Sequence, residues 1–260
     1  MTSENPRTRH EACKNLHDLL KANLEAGLRT LVGFDFPLGY PAGFAQRLGL
    51  DDPPWRAVWR YLAAQIKDDD KNHNNRFDVA NELNRRISNG SAPFWGCPPR
   101  RKWPFLEPKR HPCSDLNIDP WRLTEKRVKE WHNKTPHSVW KLFTRGCVGS
   151  QALTGIPVVE RLYSEFCGKG AVVWPFETGL AAPTDAPFVF AEIYPSLRKT
   201  QPVAGEVHDA AQVRTLAEYF EEKDARGTLC ALFRGDTLSA ADRARVESEE
   251  GWILGVRERE

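Results

Sequence analysis

Apolar residues recur at helical spacing over residues 9–30, where Leu16, Leu19, Leu20, Leu24 and Leu28 fall three or four positions apart and Gly27 lies near the end. The pattern then changes to a short apolar run, Leu31 to Phe36, closed by Pro37, Gly39 and Pro41. A run of that length between breakers predicts a buried strand. Helical spacing returns at 53–66, with Trp55, Val58, Trp59 and Leu62 on one face, and again at 75–88. Periodicity is lost over 90–136 except for a short helix near 121–132. Two helices are expected at 137–145 and 157–166, around a turn at G-C-V-G-S-Q-A-L-T-G. Residues 171–176 and 187–196 are strand-like in their β-branched and aromatic content. An amphipathic helix follows at 207–223, then a segment at 229–233 that is either helical or extended. A helix at 239–250 and a strand at 252–256 end the chain. Strands alternating with helices predict an α/β fold with a partly parallel sheet.

The 260 residues carry 37 Lys and Arg against 35 Asp and Glu, a net charge of +2. That near-neutral sum conceals polarity. Residues 96–145 hold twelve basic and five acidic side chains, whereas residues 201–260 hold eight basic and thirteen acidic. The loop-rich basic stretch at 90–136 reads as an insertion within a single domain spanning 1–260. With 40% apolar and 28% charged residues, the composition excludes a disordered or collagen-like chain. No window is apolar for long enough to span a membrane, and the first 30 residues lack an apolar signal core. Six scattered cysteines, at 13, 97, 113, 147, 167 and 230, suggest free thiols and a cytoplasmic setting. Cys97, His111 and Cys113 raise a zinc site, but without a C-x-x-C pair a structural zinc site is disfavoured.

Three acids stand where apolar residues or caps are expected. Asp35 ends a buried strand, Glu192 lies within F-V-F-A-E-I-Y, and Asp209 opens a helix. A carboxylate on a buried strand is costly unless paired, hydrogen-bonded or metal-bound. Converging at one sheet edge, the three suit Mg²⁺ or Mn²⁺ and hydrolysis by metal-activated water. Each also has a plainer reading: Asp35 capping a turn, Glu192 on a solvent-facing edge, Asp209 capping its helix. Glu177 either joins the acids or caps a turn. Asn75 and Arg76 in D-D-D-K-N-H-N-N-R-F, and Lys141 and Gln151 around R-G-C-V-G-S-Q, are candidate substrate contacts. The first group equally forms a helix-capping loop. The glycines lack the order of a P-loop, and Ser150 matches a nucleophile elbow only loosely. Trp95, Trp103, Trp121, Trp131 and Trp140 among basic residues either grip nucleic acid or pack inward.

G-F-D-F-P-L-G-Y-P around Asp35 resembles the I-D-I-P-I-G signature of a bacterial family of unknown function, the one numbered 429. A-E-I-Y-P-S at 191–196 and H-D-A-A-Q-V at 208–213 resemble its second and third motifs. N-N-R-F, P-F-W-G, V-G-S-Q-A-L-T-G-I-P and E-E-G-W-I-L-G-V resemble marks of one subgroup. The resemblance covers residues 31–213. It implies a ribonuclease H-like mixed sheet flanked by helices, a metal-dependent nuclease activity, and metal-site roles for Asp35, Glu192 and Asp209. Such a fold opens with three antiparallel strands and an essential acid. This sequence enters a helix directly, so those N-terminal strands are expected to be missing. An exposed sheet edge, open to pairing between chains, would follow. The alternative is a non-catalytic scaffold of the same fold that binds nucleic acid or a protein partner.

Overall fold

The computed structural model describes residues 4–50, 53–112, 114–183, 185–235 and 237–258. Helix α1 (Arg9–Glu25) starts where the Thr8 hydroxyl accepts the Glu11 N–H at 3.1 Å. Strand β1 (Thr30–Phe34) follows, then the short helix α2 (Phe44–Leu48). Helix α3 (Pro54–Gln65) opens on a proline, where no backbone N–H is needed, and buries Trp55, Val58, Trp59 and Leu62. Helices α4 (Arg76–Ser88), α5 (Leu123–His132) and α6 (Val148–Phe166) come next. Strands β2 (Val172–Val173) and β3 (Phe188–Glu192), then helices α7 (His208–Ala225) and α8 (Ala240–Arg245), complete the order. A π-turn at Val246–Glu250 extends α8, and residues 229–233 form a 3₁₀ turn. None of the described helices is long and apolar enough to cross a membrane.

The fold is α/β. Among the described residues its sheet has three strands in the order β1-β3-β2, and every pairing is parallel, without the antiparallel strands of a mixed sheet. The register sets Phe34 opposite Glu192, so β1 and β3 end together. β3 is buried throughout, as its continuous apolar run requires. Period-two alternation then separates two cores. Val32, Phe34, Phe188 and Phe190 pack with residues of α1, α3, α4 and α6. Val189, Ala191 and Ile193 pack with residues of α5, α7 and the C-terminal segment. The 252–256 strand reduces to a single parallel bridge between Ile253 and Glu192.

Two expectations need correction. Residues 148–155 of the supposed turn belong to α6, and residues 137–145 form turns bridged to Trp95 in place of a helix. The glycines permit close packing there. A Cβ on Gly149 would lie 2.2 Å from the Val139 carbonyl oxygen, and one on Gly155 would lie 2.4 Å from the Phe36 ring. The basic 90–136 stretch is loop-rich, yet it carries core residues: Phe94, Leu106 and Ile118 in the first core, Leu123 and Val128 in the second.

Candidate active site at the carboxyl edge of the sheet

In open α/β sheets, the crevice beyond the carboxyl ends of the strands is where ligands bind. Here β1 leads directly into Asp35, β3 ends at Glu192, and Asp209 sits in the first turn of α7. Asp35 feels the charges of both other acids. Its carboxyl is raised from 3.8 to about 7, first by loss of hydration, then by Glu192 and Asp209. The residue is exposed, so Asp35 lies at the surface just past the carboxyl end of β1 and not in the core. Tyr194 lines the same region. Burial raises its phenol, its bond with Ser196 opposes the shift, and the Asp35 charge adds to it.

Asp35 and Asp209 form no hydrogen bond or ion pair with the described residues. Neither is therefore a cap. The N-cap of α7 is Val207, one residue before the helix, and no side chain caps it. Glu192 differs completely. Its two oxygens receive the Arg122 guanidinium at 2.6 and 2.7 Å, and one also accepts the Leu38 N–H at 3.0 Å. Arg122 is fully buried and further binds Glu125 through Nε at 2.8 Å and the Glu250 carbonyl at 2.9 Å. Burial works against the guanidinium charge, but Glu125 and Glu192 together hold its pKa above the ordinary value. Glu125 is pushed up to about 7 by burial, against the pull of Arg122.

Among the described residues, no group of three or more His, Cys, Asp or Glu side chains is placed to hold a metal by protein ligands alone. With Glu192 engaged by Arg122, the donors left are Asp35 and Asp209. Two hard carboxylates fit Mg²⁺ or Mn²⁺, since Mg²⁺ commonly takes one or two carboxylates and completes its shell with water and substrate phosphate.

The candidate substrate contacts gather elsewhere, around the start of α6. Arg76 Nε donates to the Ser150 hydroxyl at 2.9 Å, and that hydroxyl donates to the Leu142 carbonyl at 2.5 Å. Ser150 is thus a clamp with no general base beside it. Asn75 ties its loop together through the Lys67 N–H at 2.8 Å and the Gln65 carbonyl at 3.0 Å. Lys141 Nζ donates to the Arg145 carbonyl at 2.6 Å, while Gln151 is exposed at the rim of an apolar cavity. Glu177 caps the turn after β2, accepting the Val173 N–H at 2.7 Å and the Tyr163 hydroxyl. None of the five tryptophans is exposed; Trp140, for example, stacks on Tyr40 at 5.3 Å between centroids. Cys97 contacts the Leu106 carbonyl and His111 bonds Glu107, while Cys113 lies outside the described residues.

Arg122 and Tyr194 were not legible as site residues from the sequence. Arg122 lies 70 residues from Glu192, at the start of the short helix expected near 121–132, where nothing in the pattern marks it as buried. A buried glutamate in a core strand was the one available signal, because it demands a cation. Comparisons with protein families, with curated proteins and with solved structures found no match to this chain.

Proposed function

We propose that the carboxyl edge is the site of a divalent-metal-dependent phosphodiesterase of ribonuclease H-like type, acting on nucleic acid. The observation that carries this reading is the pair of carboxylates, Asp35 and Asp209, unpartnered among the described residues and close enough for the Asp209 charge to raise the Asp35 pKa. Like charges brought together at the end of a parallel sheet favour a cation between them. Bound there, Mg²⁺ or Mn²⁺ would supply Lewis-acid polarisation of a phosphoryl oxygen and a more acidic water. The chain's own residues hold and orient. Asp35 and Asp209 bind the ion, and Asp35 gives up its proton as it does so. Glu192, anchored by Arg122, fixes the end of β3 and adds its charge to the crevice.

The test is cleavage of single-stranded and duplex DNA and RNA oligonucleotides with Mn²⁺ or Mg²⁺. Wild-type protein should cleave at least one of these and stop when EDTA is added. Asp35→Asn should lose about 100-fold or more, in line with the several kcal/mol that a metal supplies. Equal cleavage by Asp35→Asn would refute the assignment.

A second reading is favoured by one arrangement. β1 pairs only with β3, so its outer edge carries no strand among the described residues. Beside it lies an apolar cavity of about 480 Å³, lined in part by Leu16, Val32, Phe36 and Val158. An open edge beside an apolar groove suits a scaffold that docks a protein partner or a second copy of the chain. That reading requires no metal and no cleavage, so the same assay separates the two.

A further inference from the structure

A cavity of about 780 Å³ lies apart from Asp35, Glu192 and Asp209, none of which lines it. Its walls come from the 42–47 segment, from Arg110, Pro112 and residues 116–120, and from Arg245. Three arginines face it: Arg47, Arg110 and Arg245. Among the described residues Arg47 makes a single side-chain bond, from one guanidinium nitrogen to the Leu116 carbonyl at 2.7 Å. Arg110 has no partner among the described residues. Arg245 pairs with Glu250 at 2.6 Å, but its Nε is buried without an acceptor among the described residues. The one acid in the lining, Asp119, is already paired with Lys126. Two guanidinium charges and one orphaned N–H are therefore uncompensated among the described residues.

The wall beneath them is held firmly. Glu250 accepts the Ala42 N–H at 2.9 Å, and Glu249 accepts the Gly43 and Ala45 N–H groups at 2.9 and 2.6 Å. Both carboxylates are buried. Leu116 and Ile118 add apolar surface, and Gln46 and Asn117 add amides. Guanidinium forks match phosphate oxygens, and a cavity of this size is that of a small-ligand pocket.

We propose that this cavity is a binding site for a phosphorylated small molecule of nucleotide size, with Arg47 and Arg110 receiving its phosphate groups. The site does not depend on the metal reading of the carboxylate crevice. Isothermal titration with pyrophosphate, in EDTA and free of divalent ions, tests it without involving that crevice. Citrate serves as a carboxylate control. Wild-type protein should bind pyrophosphate with a Kd below about 1 mM, and more tightly than citrate. Arg110→Gln, which removes no contact made to a described residue, should weaken binding at least ~5-fold. Arg47→Gln/Arg110→Gln should weaken it at least ~30-fold, with an unchanged circular dichroism spectrum. No binding to wild-type protein up to several millimolar, citrate binding as tightly as pyrophosphate, or unchanged affinity in Arg110→Gln would each overturn the proposal.

Discussion

At Asp35, lost hydration and the charges of Glu192 and Asp209 raise the carboxyl from 3.8 to about 7. A pKa raised on folding means that the folded chain binds this proton more tightly than the unfolded chain does. Between about pH 4 and pH 7 the native state then holds more protons, so stability falls as pH rises through that window. Asp35→Asn cannot ionise and escapes this loss. In EDTA, the melting temperature of Asp35→Asn minus that of wild type should increase from pH 5 to pH 8; a constant difference would contradict the raised pKa. Asp35 was legible in the sequence because an acid interrupts an otherwise apolar strand. Glu192 was legible for the same reason, but its role was not. The sequence pattern marks a buried charge and says nothing of the cation that neutralises it, here a side chain from a loop 70 residues away.

Elements with a clear period were readable. α3, α4 and β1 lie within a residue or two of the apolar patterns that mark them, and β3 lies within its strand-like segment. Only the 157–166 half of α6 was readable; its first half was not, because glycine serves two purposes. Gly149 and Gly155 look like turn residues, yet they let the helix approach the 139–141 backbone and the Phe36 ring. α2 was missed as well, since five residues between two glycines are too few to display a period. Gly149→Ala places a methyl group 2.2 Å from one backbone oxygen and 2.8 Å from another. It should lower stability by ~1–3 kcal/mol, read as a reduced urea midpoint. Gly168→Ala, with nothing within 4 Å of the added carbon, should change the midpoint little. Equal effects at the two positions would show that close packing does not explain the α6 glycines.

Across the whole molecule, the parallel sheet divides two cores and brings three acids from distant positions to one edge. Alternating strands and helices made that architecture legible. The part played by the 90–136 stretch was not, because its loops lack periodicity while its burial is real. Arg122 from this stretch reaches Glu192 of β3 and the backbone of Glu250, so a segment that reads as an insertion anchors the end of the central strand. The central claim is that Asp35 and Asp209 together hold a divalent cation. Calorimetric titration of the metal-free protein with Mn²⁺ at pH 8 tests it most directly, since Asp35 is ionised there. Wild-type protein should show saturable binding of one ion, weakened at least ~10-fold in Asp35→Asn and in Asp209→Asn. An absence of saturable binding, or unchanged affinity in both variants, would contradict it.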